Sequence, residues 1–181
     1  DLFITANFPP ARKLNGQLHT LGSQRLTEDD VSQFAETMTT EAQRNGLEDL
    51  RLLEFTRDSG KSEWIGTYTA YSGRDIHSEL PRTRDFRDFT LVPIKGAAAR
   101  NKGMALFPRK IDGKFLMIGR QDGKNLYLLK SDTIDHWEEG TLLLEPRFPW
   151  ELVQIGNCGS PIELDEGWLM ITHGVGAMRK Y

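Results

Sequence analysis

The sequence predicts an all-β fold of the β-propeller class, of which this chain carries an incomplete part together with one N-terminal helix. A turn containing an acidic residue and a glycine, then an aromatic residue, then an apolar strand, occurs three times along the chain. The aromatic residues Trp64, Phe115 and Trp168 stand 51 and 53 residues apart. A repeat of about 50 residues with short strands and frequent turn signals is typical of four-stranded propeller blades.

The first 46 residues are predicted to form a leader before the blades. Residues 1–26 are read as loop with one short strand, because prolines, glycines and asparagines interrupt them. Residues 28–44 are predicted to be a helix that starts at the N-cap Thr27 and stops at Asn45-Gly46. We expect this helix to cover an edge or the base of a sheet, since an apolar stripe recurs at helical spacing. The stripe consists of Val31, Phe34, Ala35, Met38 and Ala42.

The middle copy shows the predicted blade best. Its first three strands cover residues 104–111, 114–120 and 125–131, and residues 141–144 supply the fourth. Asp-Gly pairs at 112–113 and 122–123 mark tight hairpin turns between the first three strands.

Three copies and a leader do not close a propeller, and an open one leaves sheet edges unpaired. We therefore interpret residues 1–181 as one partial propeller domain, with blades from residue 47 onward. We expect one or two further blades beyond Tyr181 or on another chain. The alternative is a smaller open β-sheet domain in which the repeat is misleading.

Composition and charge argue against several classes of function. The formal net charge of −3 argues against a nucleic-acid partner, and no apolar run approaches the roughly 20 residues of a membrane span. The single cysteine, Cys158, cannot form an internal disulfide, so we expect a cytoplasmic protein. We read Cys158 as a small buried residue in a tight turn, with no histidine partner nearby. The four histidines are widely separated and no dinucleotide or Walker motif occurs, so neither a metal nor an organic cofactor is expected.

Five strings in order resemble glycoside hydrolase family 130, the β-mannoside phosphorylases and related β-mannosidases. The resemblance covers residues 47–181 and implies a five-bladed propeller with inverting chemistry at a mannosyl anomeric carbon. Phosphate would attack one face of the sugar, and an acid on the other face would assist the leaving group by relay through a sugar hydroxyl. The strings are Leu47–Arg51, Thr67–Gly73, Asn101–Gly113, Trp150–Gly156 and Gly167–Val175.

Phosphate requires positive charge and a fork of N–H donors. Arg120 and His173 each lie five residues after an aromatic anchor, so successive blades should aim them into one central funnel. The resemblance points to the same two residues as anion ligands. Arg109 is a third phosphate candidate, which either lines the funnel or braces it through Glu48 or Asp49.

The sugar would be held by a second group of side chains. Glu48 and Arg51 are read as a clamp for sugar hydroxyls, or alternatively as a salt-bridge brace at a strand start. Tyr71 is suited to stack on a pyranose ring. The remaining substrate-binding candidates are Ser72 and a basic rim of Arg100 and Lys102.

The string Tyr71-Ser72-Gly73 departs from the family, which carries an aspartate as proton donor where Ser72 stands. A serine hydroxyl cannot protonate a leaving oxygen as a carboxylic acid does. Asp49 and Asp75 are therefore the catalytic candidates, with Asp122 as a further carboxylate. Gln154 is a second departure, because many relatives have a basic residue there.

The predicted function is phosphorolysis of β-mannosides with inversion, releasing mannose 1-phosphate, with inorganic phosphate as co-substrate. The alternatives are an inverting β-mannosidase and, because of Ser72, a non-catalytic carbohydrate-binding propeller. The expected partners are an oligosaccharide substrate and phosphate, without nucleic acid or membrane. The sequence leaves assembly into a homo-oligomer open.

Overall fold

The computed structural model describes residues 2–3, 9, 11–14, 17–37, 47–71 and 76–179. Antiparallel β-strands dominate these residues, with one α-helix and short 3₁₀ turns. The all-β class is therefore confirmed. Within the described ranges, no helix has the length and apolar character needed to cross a membrane.

The leader contains more β-structure than predicted. Strands β1 (Leu2–Phe3), β2 (Ala11–Leu14) and β3 (Gln17–Thr20) form a three-stranded antiparallel sheet. Expecting a single short strand was wrong, because these strands are two to four residues long and too short to show a period.

Helix α1 covers Glu28–Thr37 and begins where the sequence predicts. The Thr27 hydroxyl accepts a hydrogen bond from the Asp30 amide at 3.0 Å, and the Thr27 amide donates to the Asp30 carboxylate at 2.7 Å. This reciprocal cap lowers the pKa of Asp30, chiefly through the Thr27 backbone bond. Predicted helix residues 38–44 lie outside the described ranges.

The first large sheet holds four antiparallel strands in chain order. A bulge between Glu48 and Arg51 interrupts its first strand, and Asp49 within it has a positive φ of 60°. Such a bulge re-aims the side chains at that end of the strand. The strands are β4 (Leu47–Thr56), β5 (Ser62–Tyr71), β6 (Ile76–Thr83) and β7 (Phe89–Pro93).

The second large sheet contains the four strands predicted for the middle copy, again antiparallel and in chain order. Its first strand is much shorter than the predicted 104–111. Pro108 has no amide hydrogen, and its carbonyl instead accepts from Thr56 of the first sheet at 2.8 Å. The strands are β8 (Ala105–Leu106), β9 (Phe115–Gly119), β10 (Leu126–Ser131) and β11 (Thr141–Leu144).

A third unit consists of two antiparallel pairs. Strand β12 (Gln154–Asn157) pairs with the later β15 (Thr172–Val175), and β13 (Ile162–Leu164) pairs with β14 (Gly167–Leu169). The strand predicted to follow Trp168 without interruption therefore breaks after Leu169 and changes partner. The change of partner places His173 opposite Gly156.

Apolar side chains pack both faces of the second sheet. Met117 points into a core shared with Ile65 and Leu80 of the first sheet. Its neighbours Leu116 and Ile118 point the other way, into a core with Ile155 of the third unit. Successive residues of a strand face opposite sides, so β9 joins all three units.

Residues 95–98 form the joint between the first two sheets. The Lys95 amide donates to the Asp135 carbonyl at 2.8 Å, and the Trp137 amide donates to the Lys95 carbonyl at 2.8 Å. Gly96 lies directly against the Trp137 backbone, and the Trp137 side chain is fully buried. These contacts tie the segment after β7 to the segment between β10 and β11.

Candidate active site

Arg120 and His173 lie together over the backbone of Gly156. Arg120 directly follows β9, and His173 lies in β15 opposite Gly156 of β12. A Cβ atom at Gly156 would stand 2.6 Å from His173 Nε2 and 3.3 Å from Arg120 Nη1. A side chain at residue 156 would therefore push both groups aside.

Arg51 joins the three units beside this pair. Its guanidinium donates from Nη1 to the Met104 carbonyl at 3.2 Å and from Nη2 to the Asn157 carbonyl at 3.1 Å. Arg51 belongs to the first sheet, Met104 precedes the first strand of the second, and Asn157 ends β12. Of the two roles predicted for Arg51, the bracing one describes these contacts, although the partners are carbonyl oxygens instead of carboxylates.

Asp49 supplies a negative charge to the same cluster. Its side chain is exposed on the β4 bulge. Burial lowers the pKa of Arg51, and the nearby Asp49 carboxylate partly offsets that effect. The carboxylate also acts on His173. The structure thus brings together Asp49, Arg51, Arg120 and His173.

The surroundings of His173 favour its neutral form. Burial lowers the pKa of its imidazole, and the charges of Arg120 and Arg51 lower it further, against a smaller opposing effect of Asp49. A neutral imidazole donates one N–H and accepts at its other nitrogen. The cluster therefore combines the Arg120 guanidinium, the positive charge of Arg51 and a ring that can form hydrogen bonds.

Cys158 also belongs to this cluster. Its sulfur lies 3.6 Å from His173 Nδ1, and the thiol is exposed. Expecting a buried residue with no histidine partner was wrong. The two residues are 15 apart in sequence, and only the β12–β15 pairing brings them into contact.

Arg109 lies elsewhere. Its guanidinium forms an exposed two-pronged ion pair with Glu163, with Nε to Oε2 at 2.9 Å, and it stands 5.6 Å from the Trp168 ring centroid. Its carboxylate partner is thus neither Glu48 nor Asp49. Arg109 forms an isolated β-bridge with Thr56. Thr56 lies five residues after Arg51 in β4, so roughly 17 Å of extended strand separates the two positions.

The basic rim lies near the turn that follows Arg120. Arg100 is exposed at the end of the 3₁₀ turn Ala97–Arg100, and the Lys102 amide donates to the Asn101 side chain at 2.8 Å. The Asn101 amide nitrogen is 2.9 Å from where a Cβ of Gly123 would stand.

Four predicted site residues cannot be placed by side chain. Ser72 and Asp75 lie outside the described ranges. Glu48 and Tyr71 are in β4 and β5, but their side chains lie outside the described part of the chain. Among the described residues, no three histidine, cysteine or acidic side chains group as metal ligands.

Replacing Arg51 by methionine is expected to lower the free energy of unfolding by about 3 kcal/mol, because a hydrogen bond from a charged donor contributes about 1.5–3 kcal/mol. The Asn157 carbonyl loses the Arg51 donor, whereas the Met104 carbonyl still accepts from the Thr67 hydroxyl. Urea denaturation measures the change. Arg100→Met is the control, and as an exposed substitution it should stay within about 0.5 kcal/mol of the parent. Equal stability of Arg51→Met and the parent would contradict the bracing role.

His173 is expected to titrate below its ordinary pKa of about 6.5 in NMR of its ring protons. The imidazole of His173 is therefore harder to protonate in the folded protein than in the unfolded chain. Stability from this group is therefore present above about pH 6.5 and is lost as the pH falls from there toward the folded pKa. Arg120→Met should move the His173 pKa upward, since it removes a neighbouring cation. A pKa at or above 6.5 in the parent protein would refute the assignment.

Known proteins match this chain in sequence and in fold. A family model for beta-1,4-mannooligosaccharide phosphorylase matches residues 38–181. The chain is 36% identical over 123 residues to a beta-1,4-mannooligosaccharide phosphorylase of Ruminococcus albus, covering 62% of this chain and 35% of the relative. It is 36% identical over 140 residues to a beta-1,2-mannobiose phosphorylase of Thermoanaerobacter sp., covering 72% of this chain and 42% of the relative.

The fold agrees with the sequence match. The beta-1,2-mannobiose phosphorylase structure from Listeria innocua superposes with a TM-score of 0.62 at 23% identity, covering 74% of this chain and 38% of that one. The chain thus spans about two fifths of the length of the relatives it matches. The family match covers most of the sequence and shows that the chain belongs to glycoside hydrolase family 130.

Proposed function

We propose that the protein is a β-mannoside phosphorylase that uses inorganic phosphate and inverts the anomeric carbon. The convergence of Arg120 and His173 over Gly156 carries this proposal. A phosphate oxygen attacks the anomeric carbon, the glycosidic bond breaks, and a proton passes to the leaving oxygen. The products are mannose 1-phosphate and the shortened saccharide.

The cationic pair fits phosphate better than water as the attacking group. A guanidinium presents a fork of N–H donors that matches phosphate oxygens, and Arg51 adds positive charge behind it. The neutral His173 gives a further hydrogen bond without the mutual repulsion of a third full charge. Hydrolysis by water needs a carboxylate as general base, and the Arg120–His173 pair would have no role in that reaction.

Asp49 is the carboxylate we propose for proton delivery. It is exposed at the β4 bulge, and its charge acts on both Arg51 and His173. We propose that its proton reaches the leaving oxygen, on the face of the sugar opposite to phosphate, by relay through a sugar hydroxyl. Asp75 stays a prediction as the alternative acid.

A five-bladed propeller is the proposed architecture. Two four-stranded antiparallel sheets in chain order, with a third unit packed on the second, support it. The fold shared with family structures supports it as well. In such an arrangement the first strands of the blades surround a central cavity, and Arg51, which joins the three units, would lie beside it.

The test is release of mannose 1-phosphate by the full-length protein from β-1,2- and β-1,4-mannobiose, with and without phosphate. Phosphate-dependent release is the expected result. Release of free mannose without phosphate would show that the protein is a β-mannosidase instead of a phosphorylase. Binding of the disaccharides without turnover would show that the chain recognises sugar and has lost catalysis with the aspartate that Ser72 replaces.

A further inference from the structure

The two ring nitrogens of His173 have different surroundings. A Cβ atom at Gly156 would stand 2.5 Å from His173 Cε1, 2.6 Å from Nε2 and 3.3 Å from Arg120 Nη1. Nε2 and the Arg120 guanidinium therefore share the space over Gly156. The other nitrogen, Nδ1, lies 3.6 Å from the sulfur of Cys158. The imidazole thus connects the Arg120 side of the cluster to the thiol.

Strand pairing sets the contact between Cys158 and His173. The Cys158 amide donates to the Ile171 carbonyl at 2.9 Å, which continues the β12–β15 pairing by one step. Residues 156 and 158 face the same side, because successive residues of a strand alternate between its two sides. Gly156 has no side chain, so the ring of His173 opposite it reaches the next side chain on that side, Cys158. The thiol is exposed, and replacing it leaves the core unchanged.

The thiol and the imidazole can divide one hydrogen bond in a way that matters for an anion. A neutral imidazole carries its proton on one nitrogen, and the hydrogen bond at the other nitrogen selects which. A thiol can donate its S–H, whereas its sulfur is only a weak acceptor. If Nδ1 accepts from the thiol, the ring proton lies on Nε2, beside Arg120. Phosphate oxygens need donors, and the opposite tautomer would turn a lone pair of Nε2 toward them.

We propose that Cys158 is a positioning residue, whose S–H donates to His173 Nδ1 and keeps the imidazole proton on Nε2, where it donates to phosphate. The inference rests on the proposed phosphorolysis for the role of phosphate. Cys158 acts only through His173. The thiol neither contacts the phosphate nor forms a covalent bond to the sugar.

NMR of the full-length protein with ¹⁵N-labelled histidine tests the tautomer without any need for activity. At about pH 7 the ring of His173 is neutral, since its pKa lies below the ordinary value of about 6.5. Protonated and unprotonated ring nitrogens resonate in separate ranges, and the signals that His173→Gln removes identify this ring. We expect a protonated Nε2 in the parent protein and a shift toward a mixture of tautomers in Cys158→Ala.

His136 is the internal control for this measurement. Its Nε2 lies 2.7 Å from the Glu138 carboxylate, and it has no contact with Cys158 among the described residues. Its signals should be the same in the parent and in Cys158→Ala. An unprotonated Nε2 of His173 in the parent would overturn the proposal, and so would His173 signals that Cys158→Ala leaves unchanged.

Steady-state kinetics test the consequence for phosphate. Cys158→Ala should raise the KM for phosphate about three- to tenfold, the range of one neutral hydrogen bond, and leave the KM for the mannoside unchanged. In the His173→Gln background the same substitution should have no further effect, because residues that act through one another are not additive.

An equal effect of Cys158→Ala in both backgrounds would overturn the positioning role, since the thiol would then act by another route. An unchanged KM for phosphate in Cys158→Ala would overturn it as well. A parent protein without phosphorolysis would instead refute the proposed function, and the tautomer of His173 would still decide whether Cys158 sets it.

Discussion

Arg120→Met is expected to reduce phosphate-dependent release of mannose 1-phosphate by about 10²–10³-fold, the usual cost of removing one preorganised donor from developing charge. Its guanidinium lies with His173 over Gly156, where a phosphate would be held against the sugar. Methionine keeps much of the length of the side chain but removes every donor. Steady-state kinetics with varied phosphate should show a raised KM for phosphate together with a lowered kcat.

Arg109→Met is the matched control for that experiment. It removes the same group from an arginine that the sequence also predicts to bind phosphate, but whose partners are Glu163 and the Trp168 ring. Its activity should stay within about threefold of the parent, because exposed ion pairs contribute little. Equal losses in both variants would mean that Arg120 has no special relation to phosphate.

Gly96→Ala is expected to lower the free energy of unfolding by about 3–5 kcal/mol, among the largest effects of a single substitution. Gly96 has φ 101° and ψ 173°, a region that is essentially restricted to glycine. A Cβ atom there would also stand 2.2 Å from the Trp137 carbonyl oxygen. The joint between the first two sheets would have to open. Chemical denaturation followed by tryptophan fluorescence measures the loss.

Gly113→Ala separates the two causes. Gly113 has a positive φ of 74° as well, but a Cβ atom there meets nothing within 4 Å. Its cost should be the backbone strain alone, about 1–2 kcal/mol. If Gly113→Ala destabilises as much as Gly96→Ala, close packing at the Trp137 joint contributes nothing.

The repeat of turn, aromatic residue and strand predicted most of the sheet order, because hairpin turns are local. Asp112-Gly113 and Asp122-Gly123 fix their strands within a few residues. The pairing in the third unit could not be predicted in this way, because β15 pairs with β12, which is not its neighbour in sequence. Pro108 shortens β8 because it lacks an amide hydrogen, and this reason is visible in the sequence. The contact between the Pro108 carbonyl and Thr56 could not be predicted from the sequence.

The site was predictable where the repeat applied. Arg120 and His173 came from equivalent positions after Phe115 and Trp168, and the structure places them together. Arg109 has no equivalent in the repeat, and nothing in its local sequence shows that Glu163, 54 residues away, is its partner. Cys158 was missed for the same reason, because its neighbour His173 is set by strand pairing.

The bond from Arg51 to the Asn157 carbonyl spans 106 residues, and its companion to Met104 spans 53. Hairpins close early in folding, whereas contacts between distant residues must wait until a long loop has been closed. We therefore expect the cluster of Arg51, Arg120 and His173 to assemble last, after the separate sheets exist. During refolding, we expect the far-ultraviolet dichroism of the sheets to recover before the capacity to bind phosphate. On the ribosome, the cluster cannot form before residue 173 has emerged.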